Sequence, residues 1–376
     1  MAQSEARTGR VTLKEVAEKS GVSLATASKV MNGRADVRDR TREIVAEAAR
    51  ELGYQPKRRE GDKRRSALIH FDTLTSPYSL QVLEGAEQAA HRADVDLIVV
   101  SGDQTAAGLS RAWMAEVASR GVEGVVLVTT PIGARHARWS RDLSLPLIAI
   151  DPVSIDPDVK GIVTISATNW EGGTTAVQHL VDQGHRRIGV LAGPEDSIPA
   201  RQRLQGYHSA LGSAGVLWQR DLIEHGNFSY EDGQRGAERL LQLPEPPTAI
   251  FAVADTLAVG ALRAARQLGV EVPEQLSVIS FDDTMIAQWT HPQLTAVRQP
   301  LFSMGQVAIE RLLALSSDPG LFAHPFKLET MLIQRESTAP RELSAPREPA
   351  ALREPAALRE PAALREPAAP EGDQVS

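Results

Sequence analysis

The sequence predicts an α/β chain: an N-terminal all-α helix-turn-helix headpiece, then a core of two parallel-sheet α/β lobes. Three observations predict it. Residues 11–32 carry two short apolar stripes at helical spacing around a glycine turn. From Ala67 onward, short apolar runs alternate with longer amphipathic ones. The 376 residues exceed what one such sheet needs.

In the headpiece, Leu13, Val16 and Ala17 give the first helix its apolar face. Gly21 ends it, as a residue free to adopt positive φ does. Ser23 is a suitable N-cap for the second helix, because its hydroxyl accepts from the free amides of the first turn. That helix runs to Val30 or Met31 with Ala27 and Val30 inward. Leu24, Ala25, Ser28 and Lys29 then project outward, which a core does not demand. Thr12, Ser23, Thr26 and Asn32 lie nearby and suit phosphate oxygens, as do Arg34, Arg38 and Arg40. A second helix of this kind is built to enter a DNA major groove. A third helix is expected from Asp39 or Thr41 to Leu52, with Ile44, Val45, Ala48, Ala49 and Leu52 as a buried stripe and Gly53 as its stop.

Charge supports the division. The chain carries −7 overall, yet residues 1–66 carry +6 and the remainder −13. A basic head on an acidic body places a polyanion at the head. Residues 57–65 (KRREGDKRR) read as a basic linker along the phosphate backbone, with Arg58 and Arg59 as contacts that do not discriminate sequence.

Beyond the linker, strands are expected at 67–71, 97–100, 125–128, 147–150, 162–165, 188–191, 249–253 and 278–281. Helices are expected at 79–91, 109–120, 170–183, 201–214, 231–241, 256–268 and 301–315. Repeated βαβ units give a parallel sheet covered on both faces. Two lobes with a ligand between them follow, because ligands of such sheets sit outside the carboxyl ends of the strands. Tyr78 after the first strand and Asp151 after LIAI occupy such positions. From Arg341 the composition changes: REPAAL recurs at Arg347, Arg353 and Arg359, with REPAAP at Arg365. Proline at every sixth residue forbids a long helix, so residues 341–376 are expected to be a disordered tail. The expected domains are therefore 1–56, 57–65, 66–340 and 341–376.

The quoted stretches VTLKEVAEKSGVSLATASKVMN and TREIVAEAARELGYQP resemble the headpiece of the lactose-repressor/galactose-repressor (LacI/GalR) family of transcriptional regulators. Further matches extend the resemblance to about Pro340. It implies a bilobed, periplasmic-binding-protein-like core, and base readout by Leu24, Ala25 and Lys29. It also implies ligand contacts at Asn169 after ISAT, at Arg203 in PARQRLQGY, and at Phe228 in GNFS. Asp282 in VISFDDT and Gln299 in VRQP complete the implied set. Two departures stand out. Ala254 in VADTLAVGAL replaces an asparagine that commonly touches ligand. The linker has no apolar residue to wedge between base steps, as the family's hinge helix does.

The expected function is that of a sequence-specific DNA-binding regulator, of the repressor kind, whose operator affinity is switched by a small ligand. The family mostly senses sugars. Asp accepts, Arg donates in a fork, Asn and Gln do both, and an aromatic covers an apolar ring face. The partners expected are a pseudo-palindromic double-stranded operator, a sugar effector and a second copy of the chain, since one headpiece reads few base pairs. The alternative is a transport-type sugar-binding protein, whose core is alike but which needs no helix-turn-helix. Catalysis is not expected: no G-x-G-x-x-G, P-loop, G-x-S-x-G or H-E-x-x-H is present. No cofactor is expected, and the absence of cysteine excludes disulfides and thiolate metal sites. Without a leader or an 18-residue apolar run, neither secretion nor membrane spanning is expected, and the place of action is the cytoplasm.

Overall fold

The structure is a computed structural model that describes residues 11–31, 37–54, 65–102, 109–321 and 324–341. Asn32, Arg34, Arg58 and Arg59, the linker up to residue 64 and the repeat tail from residue 342 lie outside the described residues.

Three helices build the headpiece: α1 (Leu13–Ser20), α2 (Leu24–Met31) and α3 (Asp39–Leu52). Thr12 caps α1 in a capping box with Glu15, and Gly21 closes it at φ 65°. Ser23 caps α2, its Oγ accepting from the amide of Thr26 at 3.1 Å. Val16, Ala17, Ala27, Val30, Val45, Ala48 and Ala49 form a core of their own. Ile44 departs from its expected place in that core. It is 47% exposed, because it lies one position off the Val45–Ala48–Ala49 stripe.

The chain divides into two compact units, residues 1–167 with 300–328, and residues 168–299 with 329–376. The first unit holds β1 (Arg65–Phe71), α4 (Pro77–Arg92), β2 (Val95–Ser101), α5 (Arg111–Ser119), β3 (Val125–Val128), α6 (Ala134–Asp142), β4 (Leu147–Ile150), β5 (Val163–Ala167), α12 (Leu301–Ser317) and β11 (Phe326–Leu328). Its strand order is β11-β5-β4-β3-β1-β2, and all its pairs are parallel. The alternation of β1 explains the two cores: Ile69 and Phe71 face α4 and α12, and Leu68 faces α5 and α6. Arg65, read from the sequence as the end of the linker, instead opens β1 and donates from Nε to Glu123 Oε1 at 2.7 Å.

The second unit holds α7 (Asn169–Asp182), β6 (Ile188–Gly193), α8 (Ile198–Ser213), β7 (Ile223–His225), α9 (Tyr230–Leu241), β8 (Ala249–Ala252), α10 (Asp255–Gln267), β9 (Ser277–Asp282), α11 (Met285–Trp289), β10 (Thr295–Arg298) and β12 (Met331–Ile333). Its order is β12-β10-β9-β8-β6-β7, with β12 antiparallel to β10. In both sheets the strand order reverses beside the first strand, between β1 and β3 and between β6 and β8. The carboxyl ends at that switch point are where an open α/β sheet offers a ligand site. No helix among the described residues is long and apolar enough to cross a membrane.

Candidate functional site

On the headpiece, the outward face of α2 carries Leu24, 52% exposed, with Ala25 and Lys29 exposed beside it. The inward positions Ala27 and Val30 are buried, so the expected division of faces holds. Thr12 and Ser23, expected on phosphate, already have their hydroxyls in caps, and Thr26 Oγ1 pairs with Ser23 Oγ at 2.9 Å.

In the first unit, Tyr78 and Asp151 come together. The Tyr78 hydroxyl donates to Asp151 Oδ2 at 2.8 Å, and Ser166 Oγ donates to Oδ1. Asp151 is buried at the carboxyl end of β4, with φ 41°. Tyr78, expected at a ligand-facing strand end, thus has its polar end anchored to this carboxylate.

In the second unit, Asn169, Arg203, Asp282 and Gln299 form one buried network. Arg203, 3% exposed on α8, donates from Nε to Asn169 Oδ1 at 2.8 Å. Its Nη1 donates to the Val253 carbonyl at 2.6 Å and to Asp282 Oδ1 at 3.2 Å. The guanidinium lies 3.9 Å over the Phe281 ring. Gln299 Nε2 donates to Asp282 Oδ1 at 2.6 Å. Gln299 Oε1 is buried and has no hydrogen-bond partner among the described residues. A buried acceptor without a donor is costly, about 1–3 kcal/mol, so this atom suits a hydroxyl or N–H brought from outside. Phe228 is not part of the network. It stands 38% exposed with its ring so close over Gly193 that a Cβ there would lie 2.8 Å from the ring edge.

Asp282 (φ 102°) and Asp283 (φ 54°) hold left-handed backbone at the carboxyl end of β9. Asp151 and Thr129 (φ 51°) do the same after β4 and β3. Non-glycine residues in this region carry strain and cluster where function needs it.

Two acidic residues outside the expected site set support it. Asp255, the first residue of α10, bridges that helix to β9 and the segment after it. It accepts from Ser280 Oγ at 2.6 Å and from the Thr284 amide and hydroxyl at 2.6 and 2.8 Å. Asp283 is buried between Arg298 Nε at 2.7 Å and Arg335 Nη1 at 2.6 Å. Both hold the backbone on which Asp282 sits. The signal was the pairing of VADT with FDDT, two acidic loops at neighbouring strand ends.

Burial, then repulsion from Asp282, push the Asp255 carboxyl up to about 7, against hydrogen bonds from Ser280 and Thr284 that pull it down. A carboxyl that gains affinity for its proton on folding favours the folded state at low pH. Its stabilisation is full below the usual 3.8 and is lost as pH rises through about 7. In Asp255→Asn the decline of stability across that window is expected to flatten, measured by urea unfolding at several pH values. An unchanged slope contradicts the assignment.

His185 is structural, with Nδ1 2.9 Å from Thr248 Oγ1 and Nε2 3.1 Å from Ser277 Oγ. Among the described residues, no three His, Asp or Glu side chains converge as metal ligands.

Comparisons with known proteins agree with this geometry. Residues 12–57 match the model described as bacterial regulatory proteins, lacI family, and residues 177–338 match a periplasmic binding protein-like domain. The HTH-type transcriptional repressor CytR of Escherichia coli strain K12 is 32% identical over 307 residues, 80% of this chain and 89% of that one. The structure of a transcriptional regulator CelR–cellobiose complex superposes with TM-score 0.66 at 29% identity, covering 87% of this chain and 100% of that one. The lac repressor dimer bound to operator and the anti-inducer ONPF gives TM-score 0.71 at 27% identity, covering 88% and 100%.

Proposed function

The chain belongs to the lacI family of bacterial regulatory proteins, and on that premise we propose that it is a repressor whose grip on a pseudo-palindromic operator is switched by a sugar. It acts as a homodimer, in the cytoplasm, and needs no catalysis or cofactor. One observation carries this reading: α2 buries Ala27 and Val30 while leaving Leu24, Ala25 and Lys29 exposed along the side opposite its core. Leu24 and Ala25 offer apolar contact to a thymine methyl, and Lys29 reaches guanine acceptors. Residues 1–56 read DNA, 57–65 link and 66–340 sense the ligand. No role is assigned to 341–376.

The Arg203 network supports the ligand class. A fork donor, a carboxylate, two amides and an unmet acceptor match the mixed donors and acceptors of a sugar's hydroxyls. Tyr78, Asp151 and Phe228 are proposed as further contacts. Ala254 leaves out an amide at the end of β8, which favours a ligand with one polar group fewer there. Two relatives guide the choice of probe: the CelR structure contains cellobiose, and the lac repressor structure contains ONPF.

Lys29→Ala is the test of base readout. Operator binding is expected to weaken by about 1–3 kcal/mol at one base pair while random DNA is bound nearly as before. Arg58→Ala, in the linker, is expected to weaken all sequences alike and flatten the salt dependence. Equal weakening of operator and random DNA by Lys29→Ala overturns the assignment.

A further inference from the structure

We infer that the first unit carries a second small-molecule site, for a phosphorylated, hydroxyl-bearing compound, along the edge of α6 that meets the segment joining β4 to β5. A depression of about 470 Å³ is lined there by Ala134, Ala137, Arg138, Arg141, Asp158 and Lys160. The four α6 residues fall at spacings of three, four and seven, which places them on one helical stripe. Ala134 stands one turn before Arg138 and Ala137 one turn before Arg141, so small side chains leave room beside each arginine. Asp158 and Lys160 form the opposite wall, on the segment that joins β4 to β5.

That wall is held in place by the backbone. The Ile132 amide donates to the Ser154 carbonyl at 2.8 Å, and the Asp156 amide donates back to the Ile132 carbonyl at 3.0 Å. Asp156 Oδ2 accepts from the Ala134 amide at 3.4 Å and Oδ1 from the Asp158 amide at 3.0 Å. Arg141 Nη1 donates to the Lys160 carbonyl at 3.5 Å, tying helix to wall. The carboxylate of Asp156 is thus engaged by the backbone, and Asp158 is the one carboxylate that lines the depression.

Arg138, Arg141 and Lys160 make no ion pair among the described residues. Three cations against the one carboxylate of Asp158 leave the lining net positive, which favours an anionic ligand. Arginine forks and a lysine point charge suit phosphate oxygens. Asp158 in the same lining repels a continuous polyanion such as DNA but accepts from a hydroxyl. The volume lies within the range of small-molecule sites, roughly 300–1,000 Å³. The site shares no residue with the Arg203 network.

Ribose 5-phosphate, ribose and inorganic phosphate serve as probes in calorimetric titrations of the full chain. Saturable binding of ribose 5-phosphate is expected, with ribose alone contributing nothing at this site and phosphate binding more weakly. The double variant Arg141→Gln/Lys160→Gln is expected to lose affinity by about tenfold or more, since contacts to charged groups are the strong ones. Asp158→Asn should weaken ribose 5-phosphate and leave inorganic phosphate unchanged or tighter. The replaced side chains are exposed, so an unchanged melting temperature serves as the folding control. Absence of saturable binding to the native chain, or equal affinity in the double variant, overturns the proposal.

Discussion

Arg203→Ala is expected to lower the stability of the chain by about 3–5 kcal/mol and to abolish the ligand response. The side chain is the hub of a buried network. Its removal takes the counter-charge from Asp282, which keeps Gln299 Nε2, and takes one donor each from Asn169 Oδ1 and the Val253 carbonyl. Breaking a buried pair by removing one partner costs that much because an uncompensated charge stays behind. Arg203→Lys keeps the charge but not the fork, so it cannot serve Asn169 and Asp282 together. Asp282→Asn removes the charge and keeps the shape, leaving Gln299 Nε2 an acceptor. It should therefore cost less stability than Arg203→Ala. The double change Arg203→Ala/Asp282→Asn should cost less than the sum of the two, because contacting residues do not add. The folded fraction of each variant is expected to bind operator with near-native affinity, since the headpiece has its own core. A cost for Arg203→Ala below about 1 kcal/mol with an intact ligand response contradicts the network's role.

Gly206→Ala is expected to cost about 1–3 kcal/mol or more and to weaken ligand binding without touching a ligand contact. A Cβ at Gly206 falls 2.4 Å from the Trp170 carbonyl oxygen and 2.6 Å from the Thr174 nitrogen. One at Gly173, on the facing helix, falls 2.4 Å from the Arg203 carbonyl oxygen. These neighbours are backbone, so α7 and α8 must part for the methyl to fit. Asn169 opens α7 one turn before Gly173, and Arg203 precedes Gly206 on α8. The 2.8 Å bond between Arg203 and Asn169 exists because the two glycines let the helices touch. Unfolding and sugar titration of the same variant check the two effects. A Gly206→Ala chain of native stability and native sugar affinity contradicts the coupling.

The headpiece was the most readable part of the chain. Its signals are local: a stripe, a capping threonine or serine and a positive-φ glycine within a few residues of each other. The strands were placed by their apolar runs, and β3 and β4 begin and end where expected. Helix α6 was not foreseen, because ARHARWSRD presents only His136, Ala137 and Ser140 as its buried side, too little apolar character to show a stripe. Strands β7, β11 and β12 are three residues each and gain their pairing from distant partners. Within the site, each of Asn169, Arg203, Asp282 and Gln299 was found from its own motif. Their mutual bonding was not, since Arg203 meets partners 34 and 79 residues away. Asp255 and Asp283 are not legible in their own segments for the same reason. Their partners Ser280, Thr284, Arg298 and Arg335 become neighbours only when β8, β9 and β10 align.

The central claim is that a sugar controls how tightly this chain holds a specific DNA sequence. It is tested by selecting a duplex from random DNA with the full chain, then measuring fluorescence anisotropy on that duplex and a scrambled one, with and without cellobiose, ribose and ONPF. The account predicts a pseudo-palindromic selected sequence bound as a dimer, and a change of tenfold or more, about 1.4 kcal/mol, in its Kd with one of the sugars. Binding to the scrambled duplex should stay as it was. Equal affinity for the selected and scrambled duplexes, or a selected duplex whose Kd no sugar moves, contradicts the account.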